Sequence, residues 1–331
     1  MMPPASHLDF DLFIEQNEDG MYARVMDSPV GTAAAIFRNP MSEHEIEAFA
    51  RAASSPFRPD SHQFETARKS ARNLGSRLFD AVFSGEVGAM LHRCMDLAYQ
   101  MATRLRVRLM LSKSAELMRL PWETMFNPTR GEYMALSAHA PLSRYVERMH
   151  ALRPFPVKAP MRMLVVISGP PGYSPVETDR EWISLIDTLD VLGARGELLI
   201  ERMMRPTLFE LQRRLRTQEY QILHFAGHAL YQSQSEESFV VLEDEQGRAR
   251  LVSGAHMGAI LRDHYPLRLV TLNSCAPWQP LPREPFTHIA YSLVHGGLPA
   301  AIALPFELTD RAALAFHYEL YSRLVTGEAV D

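Results

Sequence analysis

The stretch Leu269-Val270-Thr271-Leu272-Asn273-Ser274-Cys275-Ala276 is an apolar run that ends abruptly on a polar turn carrying a cysteine. A short, nearly continuous apolar run of this kind reads as a strand buried on both faces, as in a parallel sheet. A second run, Tyr220-Gln221-Ile222-Leu223-His224-Phe225, ends in the small-residue turn Ala226-Gly227-His228-Ala229, so a histidine stands at an equivalent point in the chain. Working outward, 161–167 is another apolar run and opens into Ser168-Gly169-Pro170-Pro171-Gly172. Thr178-x-x-Glu181 and Thr207-x-x-Glu210 read as capping boxes for helices on either side of a strand at 198–203. Residues 239–242 and 249–252 flank Asp244-Glu245-Gln246-Gly247 as a hairpin, and Ser253 caps a short helix. After the cysteine strand come a Pro-rich loop (Pro277, Pro280, Pro282, Pro285), a helix over 287–294, a strand over 300–304 and a helix from Thr309 on. Strands alternating with helices predict an α/β domain with a mostly parallel sheet covered on both faces.

The first half reads differently. Three strands, 8–15, 21–26 and 31–37, are followed by a helical region over 42–103 that opens on a Ser42-x-x-Glu45 capping box, then by a strand at 106–111 and the segment Leu120-Pro121-Trp122-Glu123. Pro154, Pro156 and Pro160 interrupt any regular element. The expected organisation is therefore an N-terminal β/α subdomain over 1–150, a Pro-rich linker over 151–160 and a second domain over 161–331.

At 331 residues, 47% of them hydrophobic, the chain can bury cores of this size. The formal net charge is -5, and the short run Arg213-Arg214-Leu215-Arg216 lies in an amphipathic helix pattern, so nucleic acid is not an expected partner. No apolar stretch reaches the roughly 18 residues of a membrane span, and the N-terminus lacks a signal-peptide pattern. No membrane partner is expected, and the expected location is cytoplasmic. The two cysteines, Cys94 and Cys275, form no CxxC pair, which suits a reducing compartment; Cys94 falls on the apolar face of a helical pattern and reads as core. The closing residues 327–331 resemble the opening of another helix, which suggests a longer parent protein.

In an open parallel sheet, ligand sites form beyond the carboxyl ends of the strands. The loops 168–173, 226–229, 273–276 and 305–310 all belong there. A histidine turn and a cysteine turn on one sheet edge suggest a thiol nucleophile with its base, the imidazole taking the thiol proton or pairing with the thiolate. The backbone N–H groups of Cys275 and of Ala229, the residue after His228, are the expected oxyanion donors. By spacing alone, a buried cysteine in a strand-end turn is more often structural than reactive.

The order His224-Phe225-Ala226-Gly227-His228-Ala229, then Asn273-Ser274-Cys275-Ala276 after a hairpin and helix, resembles the CHAT domain, a caspase-like peptidase domain related to separase and often joined to TPR repeats. Leu120-Pro121-Trp122-Glu123, Asp179-Arg180-Glu181-Trp182 and Gly297-Leu298-Pro299-Ala300 agree in order and spacing. The resemblance implies a caspase-like α/β fold and a cysteine endopeptidase acting through a thioester acyl-enzyme, with His228 as general base and Cys275 as nucleophile. Its partners are then a protein or peptide substrate and an activating partner protein or fused domain. Two departures stand out: Ala229 where the family usually has Gly, and Ala276-Pro277-Trp278 where a small or polar run is commoner.

These departures leave a second reading open, a CHAT-fold binding or sensing module with little activity until a partner or attached domain orders its loops. The expected substrate rim comprises Gly169 and Pro170 of a rigid cleft wall, Asn273, Trp278, Glu307 and Asp310; Asp179 is a further candidate for selecting a basic residue. No cofactor and no metal are expected. His224 and His228 straddle a strand end and lack the helical context of a zinc-binding pair, so His224 reads as a packing or supporting residue, with a site of His224, His228 and Cys275 as the minor alternative.

Overall fold

The computed structural model describes residues 7–53, 61–112, 114–146, 159–275, 285–304 and 310–328. The chain separates into two compact units, Met1–Glu147 and Arg148–Val330. Most of the expected linker, 151–158, lies outside the described residues.

In the first unit, β1 (His7–Asn17) pairs antiparallel with β2 (Gly20–Asp27), which pairs with β3 (Ala33–Phe37). On its other side β1 runs parallel to β4 (Arg104–Leu111). The helices α1 (Glu43–Ala53), α2 (His62–Val82) and α3 (Gly85–Gln100) lie between β3 and β4 in sequence. Alternation sends Phe10, Leu12, Ile14, Val107 and Leu109 into the core with α2 and α3. The opposite face carries charges that pair in register: Arg106 Nε donates to Asp9 at 2.8 Å and Arg108 Nη2 to Asp11 at 2.6 Å. The Ser42 box forms in full, Ser42 N–H donating to Glu45 at 2.9 Å and Glu45 N–H to Ser42 Oγ at 3.3 Å. Cys94 is fully buried. Beyond β4 come a short helix α4 (Ala115–Arg119), a 3-10 turn at Trp122–Thr124, the small ladder of β5 (Phe126–Asn127) with β6 (Glu132–Tyr133), and β7 (Leu142–Arg144). Trp122 is buried and donates its Nε1–H to Leu117 O at 2.7 Å, so the Leu-Pro-Trp-Glu segment serves the core.

The second unit is built on five parallel strands: β8 (Met161–Ile167), β9 (Leu198–Arg202), β10 (Ile222–Gly227), β14 (Leu269–Ser274) and β15 (Ala300–Leu304). Their spatial order is β15-β14-β10-β8-β9, so the histidine strand and the cysteine strand are neighbours in the middle of the sheet. One face packs α5 (Thr178–Ala194) and α9 (Asp310–Val325) over Met163, Val165, Ile222, Ala226 and Leu269. The other packs α6 (Leu208–Thr217), α7 (Gly254–Arg262) and α8 (Pro285–His295) over Leu164, Val166, Phe225, Val270 and Leu272. Strands covered on both faces have no polar side, which is why their sequences run almost unbroken in apolar residues. This is the α/β arrangement of a caspase-like sheet flanked by helices.

Some local expectations change. The helix after β8 is capped at Glu177 with no side-chain capping bond, so Thr178 is already helical and its box does not form. Thr207 does cap α6, accepting from Glu210 N–H at 3.1 Å. Pro285 opens α8 instead of belonging to the loop before it, a position where its missing N–H costs nothing. The expected turn at 226–229 is replaced by two strands. β10 runs through Gly227, and β11 (Ala229–Gln232) starts at Ala229 to pair with β12 (Glu237–Glu243), itself paired with β13 (Ala249–Ser253).

Candidate functional site

The parallel register sets His224 opposite Thr271, Ala226 opposite Asn273 and Gly227 opposite Ser274. The ladder extends one step further, because Cys275 N–H donates to Gly227 O at 2.9 Å. His228 and Cys275 are thus the residues immediately past two hydrogen-bonded strand ends, in a sheet whose neighbouring strands lie about 4.8 Å apart. Gly227 is required by close approach. A Cβ there would stand 2.7 Å from Ser168 O and 2.9 Å from Phe225 Cζ, so the histidine strand packs against the end of β8 with no room for a side chain.

His228 is 4% exposed. Its ring stacks on Tyr173 at 5.4 Å, and its Nε2 lies 2.8 Å from Ser174 O. A carbonyl only accepts, so Nε2 carries a proton, and in the neutral tautomer that this contact selects the lone pair is on Nδ1. Tyr173 and Ser174 were not expected from the sequence, since a backbone acceptor and a loop tyrosine leave no motif.

The oxyanion expectation is corrected in part. The N–H of Cys275 is occupied by Gly227 O and is not available to a developing oxyanion in this structure. Ala229 differs. Val241 N–H donates to His228 O, which makes the Ala229–Val240 pair the non-hydrogen-bonded kind and directs the Ala229 N–H away from β12.

Cys275 is half-buried and lines a cleft of about 300 Å³ together with Asn273, His224, His317 and Glu181. Gly169 and Pro170 do not line it: Pro170 is buried and Gly169 packs on Val176, while Pro175 and Val176 of the same loop form that wall. Asn273 lines the cleft. Asp310 is the first residue of α9, and Trp278 and Glu307 lie outside the described residues. Asp179 is held by Arg202, whose Nη1 donates at 2.7 Å.

Behind Cys275 lies a polar chain that the sequence did not disclose. Tyr321 OH is 2.7 Å from His224 Nδ1 and 2.9 Å from Thr271 Oγ1, and Asn273 Nδ2 is 3.2 Å from His224 Nε2 and 3.0 Å from His317 Nε2. His224 and His317 meet edge to face at 4.9 Å. An amide N–H₂ that donates to two ring nitrogens needs both to offer lone pairs, so both imidazoles are neutral. Electrostatics agree: burial, and then the neighbouring His317, hold His224 well below 6.5, and burial brings His317 down to about 4. Burial also pushes the Tyr321 hydroxyl up, keeping it a proton donor. Among the described residues, no three of His, Cys, Asp and Glu cluster as a metal centre requires. No helix among them is long and apolar enough to cross a membrane.

A search of curated proteins finds no match. Among solved structures, a response regulator protein from Burkholderia pseudomallei, with a phosphorylated aspartic acid, calcium ion and citrate, is 16% identical. It covers 51% of this chain and 74% of its own, with a TM-score of 0.25, an overlap that bears on neither fold nor chemistry. The CHAT domain model, by contrast, matches residues 68–331, from within α2 to the last residue. With most of its length matched, and with a helix-flanked parallel sheet carrying the histidine and cysteine strands side by side, this chain belongs to the CHAT domain family, a caspase-like, peptidase-related group.

Proposed function

We propose that the chain is a cysteine endopeptidase in which His228 is the base and Cys275 the nucleophile. The observation that carries this reading is the register of β10 and β14, which brings both residues to adjacent strand ends while Ser174 O engages His228 Nε2 and leaves Nδ1 as the ring's other nitrogen. In the reaction, His228 Nδ1 takes the Cys275 proton and the sulfur attacks the peptide carbonyl, whose oxygen becomes an oxyanion facing the Ala229 N–H. Collapse of that intermediate breaks the C–N bond, and the amine leaves with the proton from His228. Water, deprotonated by the same ring, then hydrolyses the thioester, releasing the carboxylic acid and restoring the thiol. The test is hydrolysis of a peptide library by wild type, Cys275→Ala and His228→Ala. Turnover in wild type and loss of it in both variants is expected; retained turnover in Cys275→Ala refutes the assignment.

A second reading, a module that acts only once a partner or attached domain has reorganised the site, draws support from the engaged N–H of Cys275. One oxyanion donor in place of two lowers the rate by about a hundredfold or more. Labelling with an iodoacetamide probe at neutral pH separates the two readings. Cys275 labelled far faster than the buried Cys94 supports the enzyme that is active alone; equal labelling in the native protein supports the module.

A further inference from the structure

The loop between β8 and α5 is braced along its whole length. Ser168 N–H donates to Ala226 O at 2.9 Å, and Gly169 N–H is bonded by the Glu243 carboxylate. A Cβ at Gly169 would stand 2.9 Å from Val176 Cβ, so the two ends of the loop meet with no room between them. Pro170, Pro171 and Pro175 each fix one backbone angle. Gly172 turns the chain at φ +95°, a conformation that suits glycine. Thr178 N–H then donates to Val176 O at 2.9 Å where the loop enters α5. What this construction delivers is two contacts on one imidazole: the Tyr173 ring stacked on His228 with 23° between the planes, and Ser174 O at 2.8 Å from Nε2.

The two contacts restrain different motions. The hydrogen bond acts at the ring's edge and in its plane, whereas the stack acts on its face. Half a turn about Cβ–Cγ exchanges Nε2 with Cε1 and Nδ1 with Cδ2, so a turned ring presents carbon both to Ser174 O and at the point where the lone pair had been. The turn passes through orientations in which the imidazole edge runs into the Tyr173 ring. Resting on the endopeptidase reading, we infer that Tyr173 is a positioning residue for the proposed base: its ring face, with Ser174 O, holds His228 in the one orientation that keeps a basic nitrogen available. The aromatic face carries the role, and the hydroxyl is dispensable.

The inference is tested without turnover by long-range proton–nitrogen NMR of the full chain labelled with ¹⁵N-histidine, at about pH 8, on the basic side of an ordinary imidazole's 6.5. His228 is assigned by its absence from His228→Gln. Wild type and Tyr173→Phe are expected to show one tautomer, protonated at Nε2. In Tyr173→Ala the minor orientation is expected to rise about three- to tenfold, drawing the two nitrogen signals together. Unchanged signals of the buried His224 and His317 show in the same spectrum that the second unit is folded. A folded Tyr173→Ala that keeps the wild-type pattern, or a Tyr173→Phe that loses it as fully, overturns the inference. A second measurement needs no variant of the loop: the stacked tyrosine shifts the His228 ring protons of wild type upfield, and unshifted protons overturn the inference as well. Peptide hydrolysis separates the two claims. Tyr173→Ala is expected to lower kcat with KM unchanged, and Tyr173→Phe to restore it. Turnover in wild type beside an unchanged tautomer in Tyr173→Ala defeats the positioning role alone. No turnover in wild type beside a tautomer that Tyr173→Ala disturbs defeats the peptidase reading alone.

Discussion

Replacing His317 by glutamine gives the polar chain behind Cys275 a quantitative test. Burial lowers this imidazole to about 4 from the ordinary 6.5, so it is neutral in the folded protein across most of the acidic range. In the unfolded chain it protonates as the pH falls below 6.5. A group whose folded pKa is depressed contributes stability that is present above the unfolded pKa and drains away as the pH drops toward the folded one. At pH 5 the unfolded state has gained 1.5 pH units of protonation that the folded state has not, each unit worth about 1.4 kcal/mol, so the loss relative to pH 7.5 is about 2 kcal/mol. His224 titrates in the same direction and adds to the acid loss in both proteins. Glutamine can still accept from Asn273 Nδ2 but cannot protonate, so His317→Gln isolates one residue's share. Urea unfolding of wild type and His317→Gln at pH 7.5 and 5.0 is the measurement. Wild type is expected to lose about 2 kcal/mol more than the variant over that interval, or about 4–8 °C in melting temperature for a unit of this size. Parallel pH dependences would refute the claim that His317 is buried and neutral.

Tyr321→Phe removes the hydroxyl that meets both His224 and Thr271, and is expected to destabilise the second unit by about 1–3 kcal/mol in thermal unfolding, because buried polar atoms lose a partner. Thr207→Ala should cost about 1 kcal/mol and Thr178→Ala almost nothing, since only the first hydroxyl caps a helix; chemical denaturation of the two variants side by side reads the contrast. In the first unit, Gly75→Ala drives a Cβ to 1.9 Å from the backbone carbonyl of Thr124. It is expected to cost about 1–3 kcal/mol and to lower the melting temperature, as backbone against helix cannot yield the way a side chain can.

What could be read in the sequence was what repeats along it. The buried strands declare themselves as unbroken apolar runs, and the three N-terminal strands by alternation. Ser42 and Ser253 cap their helices as their local motifs demand. Thr178 fails for a reason beyond the motif: Val176 O accepts the Thr178 N–H at 2.9 Å, and Glu177 takes the cap position. β11 was missed because Ala229-Leu230-Tyr231-Gln232 has no pattern of its own and is a strand only through pairing with β12. The same limit governs the site. Cys275 and His228 stood out because each closes an apolar run. His317 and Tyr321, close to a hundred residues from His224, sit on a helix face where any polar side chain looks incidental until its partner is known. The N–H of Cys275 was assigned to an oxyanion because nothing local shows that the ladder continues to Gly227.

His317 and Tyr321 are four residues apart, hence on one stripe of α9, and both bond into the polar chain around His224. Apolar packing alone tolerates a helix that slides or rolls, because one leucine can replace another in a groove. Two hydrogen-bonding groups aimed at fixed targets do not. A one-residue shift turns the stripe by about 100° and strands both ends of the chain at once. α9 is thereby indexed against the cysteine strand like a key with two cuts, with a single rotational setting in which Asn273 is held beside Cys275.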